Sequence, residues 1–199
     1  IPSEQRVSHL SRLKALALCG LVAVVIQIAL GGWTSSNYAA LACVDFPTCH
    51  GQWLPEADFQ QGFNITQAVG PNYLGGLMDN NARTAIHFSH RLGALVVTLL
   101  SLVLISFLWR AKHPQGKRLA TVLLLVLALQ LALGVTNIVA ALPLAVAVIH
   151  NGVGALLLLV MVTINYHLRV NWRSNTLTLE PAETHIIKTT APSADAELS

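Results

Sequence analysis

Two histidines stand inside long apolar runs of this chain. Each is followed closely by Gly-Ala-Leu, as His90-Arg-Leu-Gly-Ala-Leu95 and His150-Asn-Gly-Val-Gly-Ala-Leu156. A neutral imidazole offers a nitrogen lone pair to a metal. Two imidazoles at matched depth on separate helices of a bundle suit the two axial positions of a haem iron. Each lies about six or seven residues inside the outer end of its run, roughly 10 Å at 1.5 Å per residue. The small neighbours Gly93, Ala94, Gly152, Gly154 and Ala155 leave room for a flat macrocycle. Another metal, a proton relay, or two histidines that merely bond to neighbouring helices are the alternatives. An ionisable residue within a membrane segment is functional by default, so haem ligation is preferred.

Three further groups stand near this pair. His87 is one turn before His90 and shares its face. His-x-x-His suggests zinc or copper, but no carboxylate or thiol at that depth completes such a site. His87 therefore shapes the haem edge, moves protons, or sits at the interface without a role. Arg91 is the one Lys or Arg well inside a run. Unpaired it would cost roughly 2.5–3.5 kcal/mol, so it meets an anion such as a haem propionate or snorkels outward. Cys43-Val-Asp-Phe-Pro-Thr-Cys49 is a C-x5-C pair for which a disulfide is expected, either structural or redox-active. Cys19 reads as a small apolar filler. Gln27, Gln130 and Asn137 read as bonds between helices rather than ligands. His9, His50, His113, His167 and His185 read as solvated. Trp33, Tyr38, Trp53, Phe59, Tyr73, Trp109 and Tyr166 mostly read as an interfacial belt.

These residues need elements to hold them, and composition says which. Of 199 residues, 54% are hydrophobic and 11% charged, against about 25% charged in an average soluble domain. That excludes a soluble enzyme, a nucleic-acid binder and a disordered chain as the main reading. Uncharged runs near 13–32, 83–109, 119–142 and 144–168 are each close to the roughly 20 residues that cross a bilayer as a helix. The fold class expected is an all-α membrane protein of four helices in a bundle, with Pro143 breaking the last two runs into a hairpin. Arg6, Arg12 and Lys14 precede the first run, Arg110, Lys112, Lys117 and Arg118 separate the second and third, and Arg169 and Arg173 follow the fourth. Residues 33–82 hold Asp45, Glu56, Asp58 and Asp79 but no Lys or Arg. Both termini are thereby expected in the cytoplasm and the long loop between the first two helices outside. Residues 1–173 read as one haem-binding membrane domain, and 174–199 as a disordered cytoplasmic tail. The chain opens Ile1-Pro2 rather than Met, with no signal-peptide pattern before the first run, and reads as a piece of something longer.

An internal repeat runs through the chain. Gln27-Ile-Ala-Leu-Gly31 matches Gln130-Leu-Ala-Leu-Gly134, and the two histidine segments match each other. Repeats of this kind bring equivalent residues together about a pseudo-axis. The order of motifs then resembles a known family. Leu30-Gly-Gly-Trp-Thr-Ser-Ser36, Cys43-x5-Cys49-His-Gly-Gln-Trp53, Ala82-Arg-Thr-Ala-Ile-His-Phe-Ser-His-Arg-Leu-Gly-Ala94, Gln130-x3-Gly-Val-Thr-Asn137 and Leu142-Pro143 through His150 are similar to haem A synthase. The likeness is to the C-terminal half of the proteobacterial form, over roughly residues 10–170. The resemblance implies a bacterial inner-membrane oxidoreductase of eight helices in two four-helix halves. Such an enzyme oxidises a ring methyl of haem O to the formyl of haem A for cytochrome oxidase assembly. It implies haem b held between His90 and His150, and a cysteine pair at Cys43 and Cys49. It also implies partners: the lipid bilayer, the substrate haem O, haem O synthase and oxidase assembly proteins, with no nucleic acid.

One departure stands out. The family's other half carries the substrate site and an intramembrane glutamate, and position 87 here is His where an E-x-x-H pattern would have the acid. No Asp or Glu lies in any of the four runs. Catalytic residues are therefore unassigned, and haem O is expected in an N-terminal half or a second copy. A b-type cytochrome without synthase activity, and a scaffold that binds no haem, are the rival readings.

Overall fold

The structure, a computed structural model, describes residues 3–66, 78–111 and 114–170. Five helices appear there: α1 (Ser3–Ser36), α2 (Phe59–Gly62), α3 (Asn80–Arg110), α4 (Pro114–Val139) and α5 (Leu144–Arg169). Four are long and apolar enough to cross a membrane, over Leu10–Ser36, Asn80–Arg110, Pro114–Val139 and Leu144–Arg169. No strand longer than an isolated bridge occurs among the described residues. Tyr73, Lys112, His113, Arg173, His185 and the tail from residue 174 lie outside them, as do the side chains of Arg6 and His9.

The four long helices form a closed ring. α1 packs on α3 and α5, and α4 packs on the same two, while the diagonal pairs α1/α4 and α3/α5 do not approach among the described residues. Chain direction alternates, so Arg12, Lys14, Arg110, Lys117, Arg118 and Arg169 share one end of the bundle, and the long α1–α3 connection sits at the other. We call these the basic end and the loop end.

Burial follows helical period. On α1 the buried stripe is Leu13, Ala17, Gly20 and Val24, at spacings of three and four. Cys19 falls off that stripe and is exposed, so it fills no space between helices. The buried residues of the apolar core lie toward the basic end: they reach Val24 on α1, Val97 on α3, Leu127 on α4 and Val153 on α5, with Leu133 partly buried against them. Asn165 crosses this core to donate to the Ala17 carbonyl at 2.8 Å. Near the basic end Gln115 joins α4 to α5, its Nε2 lying 3.0 Å from His167 Nδ1, so His167 is tied into the fold rather than free in solvent.

Both hairpins close their first helix in the same way. After α1, Ala39 N–H donates to Thr34 O at 2.9 Å and Tyr38 N–H to Ser35 O at 3.3 Å. After α4, Leu142 N–H donates to Asn137 O at 2.8 Å and Ala141 N–H to Ile138 O at 3.2 Å. Each is a Schellman motif, with Tyr38 (φ 53) and Ala141 (φ 54) in the left-handed position that glycine usually takes. The third span therefore ends at Val139, three residues before the Leu142 expected from hydropathy. The apolar Ala140 to Leu142 is a turn, and Pro143 caps α5 at φ −60.

The long connection is a folded element in the part described. Asp58 caps α2, its side chain accepting from Gln61 N–H at 2.9 Å. α2 packs on α3, and a Cβ on Gly62 would stand 2.7 Å from the Ala82 carbonyl, so only glycine fits there. Trp33 Nε1 donates to the Gly62 carbonyl at 2.9 Å, tying the end of α1 to α2.

Candidate functional site

Between the buried residues of the apolar core and the loop, glutamines and histidines of neighbouring helices meet over glycines. Gln27 reaches from α1 to α3. Its Nε2 donates to the His90 carbonyl at 2.9 Å and lies 3.1 Å from His90 Nδ1. Gln130 reaches from α4 to α5, its Nε2 lying 3.4 Å from His150 Nε2. Each imidazole rests on a glycine of the same partner helix. A Cβ on Gly31 would stand 3.2 Å from His90 Cε1, and one on Gly134 would stand 3.3 Å from His150 Cε1. The repeat seen in sequence is thus a repeat in space: glutamine against histidine, glycine beneath the ring, on both hairpins.

Because α3 and α5 are diagonal, the two histidines come from opposite corners of the ring. Gln27, His90, Gln130 and His150 are all half-buried, beyond the buried residues of the apolar core. Gln27 Oε1, Gln130 Oε1 and His150 Nδ1 are buried without a hydrogen-bond partner. Two imidazoles on diagonal helices, with glycine floors and unused polar atoms, fit a flat metal macrocycle. They do not fit a compact metal cluster: no group of three or more His, Cys, Asp or Glu gathers among the described residues.

His87 and Arg91 face a different partner, the loop from Cys43 to Gln52. Cys43 and Cys49 have their sulfurs 2.06 Å apart, at disulfide distance. Cys49 and Gln52 exchange backbone bonds of 2.9 and 3.0 Å across a turn formed by His50 and Gly51, both at positive φ. Asp45 is the hub of this loop. Its carboxylate accepts from Thr48 Oγ1 at 2.5 Å, His50 N–H at 2.6 Å and Gly51 N–H at 2.9 Å. The Thr48 hydroxyl and then the Gly51 amide hold its pKa well below the usual carboxylate range.

Arg91 clamps that loop to α3. Nη1 donates to the Thr48 carbonyl at 2.8 Å, and Nη2 to the carbonyls of Cys43 at 2.7 Å and Asp45 at 2.8 Å. The guanidinium also lies 6.0 Å from the Phe46 ring centre. Sequence leaves Arg91 a choice between an anion and snorkelling. In the fold it donates to three backbone carbonyls. His87 is fully buried, and its Nδ1 accepts from the Cys43 N–H at 3.2 Å. A neutral imidazole has one acceptor nitrogen, so the 3.4 Å separation of Arg91 Nε from His87 Nε2 is a packing contact. His87 is therefore an anchor for the loop rather than a surface residue.

Sequence reasoning named the two histidines but missed what seats them. Gln27 and Gln130 read only as bridges between helices. The Gln-x3-Gly spacing, repeated once, was the available signal that each serves the histidine opposite.

Fold and site together define a multi-pass four-helix membrane bundle with paired histidines at one end of its interior. A family model described as cytochrome oxidase assembly protein matches residues 2–162. The chain belongs to that family. It is 45% identical over 161 residues to haem A synthase of Shewanella oneidensis, which covers 81% of this chain and 48% of the relative. It is 34% identical over 160 residues to haem A synthase of Methylobacterium radiotolerans, covering 79% and 40%. With haem A synthase of Caulobacter vibrioides it is 32% identical over 166 residues, covering 82% and 45%. The chain thus spans about half the length of these relatives or less. No solved structure matches.

Proposed function

We propose that this chain is the haem-b-binding four-helix unit of a haem A synthase in a bacterial inner membrane, with its loop end outward. The observation that carries the reading is the pair of matched sites, His90 on Gly31 and His150 on Gly134, on diagonal helices and beyond the buried residues of the apolar core. His90 and His150 would hold the iron, each through one ring nitrogen. Haem b bound there supplies a one-electron iron couple. With His90 and His150 both holding the group, haem b would supply electron transfer rather than oxygen chemistry. Gly31 and Gly134 keep the rings in place by leaving no methyl to push them aside. His87 and Arg91 seat the Cys43–Cys49 loop beside His90.

Oxidation of the haem O methyl to a formyl then belongs to a second four-helix unit, either another segment or a second copy. Two facts support this. The chain spans 48% of its Shewanella relative, and none of its four spans contains Asp or Glu. The second fact also favours a narrower reading, an electron-carrying b-type cytochrome without synthase activity.

The test is spectroscopic. The purified chain supplied with haem b should show sharp low-spin α and β bands on reduction, lost or weakened in both His90→Ala and His150→Ala. A wild-type chain that takes up no haem, or variants that bind it unchanged, would overturn the assignment. Conversion of added haem O by a preparation containing only this chain would reject the narrower carrier reading.

A further inference from the structure

The polar atoms around the two histidines do not balance. Gln27 and Gln130 each turn an amide nitrogen toward an imidazole, while each carboxamide oxygen is buried without a partner. His150 Nδ1 is buried and unpartnered beside them. The same orphan at equivalent places on two helices is a property of the site, not of one side chain.

Metal ligation would resolve it. A neutral imidazole carries one proton, and the nitrogen that binds a metal must be the bare one. The other nitrogen then presents an N–H that needs an acceptor, and that second partner orients the ring and sets its basicity. A carboxamide can supply it, because its terminal torsion is broad and its nitrogen and oxygen ends have nearly the same shape. Gln27 already lies 3.1 Å from His90 Nδ1, so rotation of the amide brings its oxygen to an N–H there. The absence of a side chain on Gly93 is what admits the Gln27 amide to this position, since a Cβ would collide with Oε1.

We propose that Gln27 and Gln130 are positioning residues for the paired imidazoles, each accepting through its oxygen the ring N–H left when the other nitrogen binds haem iron. The proposal rests on the haem-b reading above and adds to it the groups that set the strength of each ligand. The two sites are unequal. Gln27 must release its 2.9 Å bond to the His90 carbonyl to serve, whereas Gln130 gives up only a 3.4 Å contact.

The experiment is a redox titration of the full 199-residue chain loaded with haem b, for wild type and for Gln→Leu and Gln→Glu at positions 27 and 130. Leucine removes the acceptor, makes the imidazole a weaker donor to ferric iron, and should raise the midpoint potential. Glutamate offers a carboxylate oxygen, a stronger acceptor than an amide oxygen, and should lower it. A merely structural role would not give shifts of opposite sign at one position. If haem binds and the glutamate variants, which keep the shape of glutamine, show no lowering, the positioning role fails while the haem reading stands. If the leucine variants fail to fold, the glutamate variants alone decide the sign. A wild-type chain without haem would overturn both.

Discussion

The α1–α3 and α4–α5 hairpins run alike until their first helix ends. Gln27, Gly31, Thr34 and Tyr38 keep register with Gln130, Gly134, Asn137 and Ala141. The glutamine faces a histidine, the glycine lies under the ring, and a Schellman motif closes the helix around a left-handed residue. Beyond that point they part. The second chain passes through Pro143 straight into α5, while the first runs out into a folded loop that returns onto its own hairpin. The residue after His90 is Arg91, which grips three loop carbonyls; the residue after His150 is Asn151, which is exposed. The repeat has thus duplicated the interior of the bundle and left the connections to diverge. One histidine is flanked by a clamped, cross-linked loop, and its twin is not.

The largest expected effect is at that clamp. Arg91→Ala removes a charged donor from three carbonyls, and hydrogen bonds to charged groups contribute about 1.5–3 kcal/mol each without being additive. We expect loop docking to weaken by roughly 2–4 kcal/mol, read as faster reduction of Cys43–Cys49 by a water-soluble phosphine. Asn151→Ala, at the matching position, should change neither hairpin. Equal reduction rates in wild type and Arg91→Ala would dissolve the contrast.

A smaller effect separates two glycines of the interior. A Cβ at Gly93 collides with Gln27 Oε1, while one at Gly154 comes only to 3.3 Å from Gln130 Nε2. Overpacking should make Gly93→Ala cost about 1–3 kcal/mol and Gly154→Ala under about 1 kcal/mol, measured by thermal unfolding in detergent. Equal losses would show that the two glutamine sites are held alike.

The pH response should also divide the hairpins. Asp45 has a depressed pKa when folded, through Thr48 first and the Gly51 and His50 amides after it. Its contribution is therefore complete above the unfolded carboxylate pKa and lost as pH falls through the lower folded value. Phosphine reduction of the loop should stay slow above the unfolded carboxylate pKa and quicken progressively as pH falls from there through the lower folded value. Asp45→Asn should be fast already at neutral pH. The 140–143 turn has no ionisable side chain and should not respond.

The smallest effect tests where the hairpins agree. Tyr38→Gly and Ala141→Gly each relieve a left-handed residue and should stabilise by about 0.5–1 kcal/mol. Opposite signs would mean that the two closures are not equivalent.

Much of this was legible before any coordinates. Four spans could be read because a helix that must satisfy its own backbone in lipid needs about 20 apolar residues, which leaves a long mark. His90 and His150 could be read because imidazoles are rare in such runs. The end of α4 could not: Ala140, Ala141 and Leu142 are as apolar as the helix before them, and the left-handed cap carries no glycine to announce it. Cys19 was misplaced for a related reason, since an apolar run shows burial in lipid and burial in protein with the same letters.

The sequence by itself determined the number of spans, the loop that carries the cysteines, and the residue types able to hold a metal. All are local matters of length, polarity and side-chain chemistry. Only the tertiary structure decided that α3 and α5 are diagonal, that each histidine rests on a glycine of its neighbour, and that Arg91 spends its charge on Cys43, Asp45 and Thr48. Those are contacts between residues far apart in the chain, set by which faces of the helices pack together, and no single stretch of sequence contains both partners.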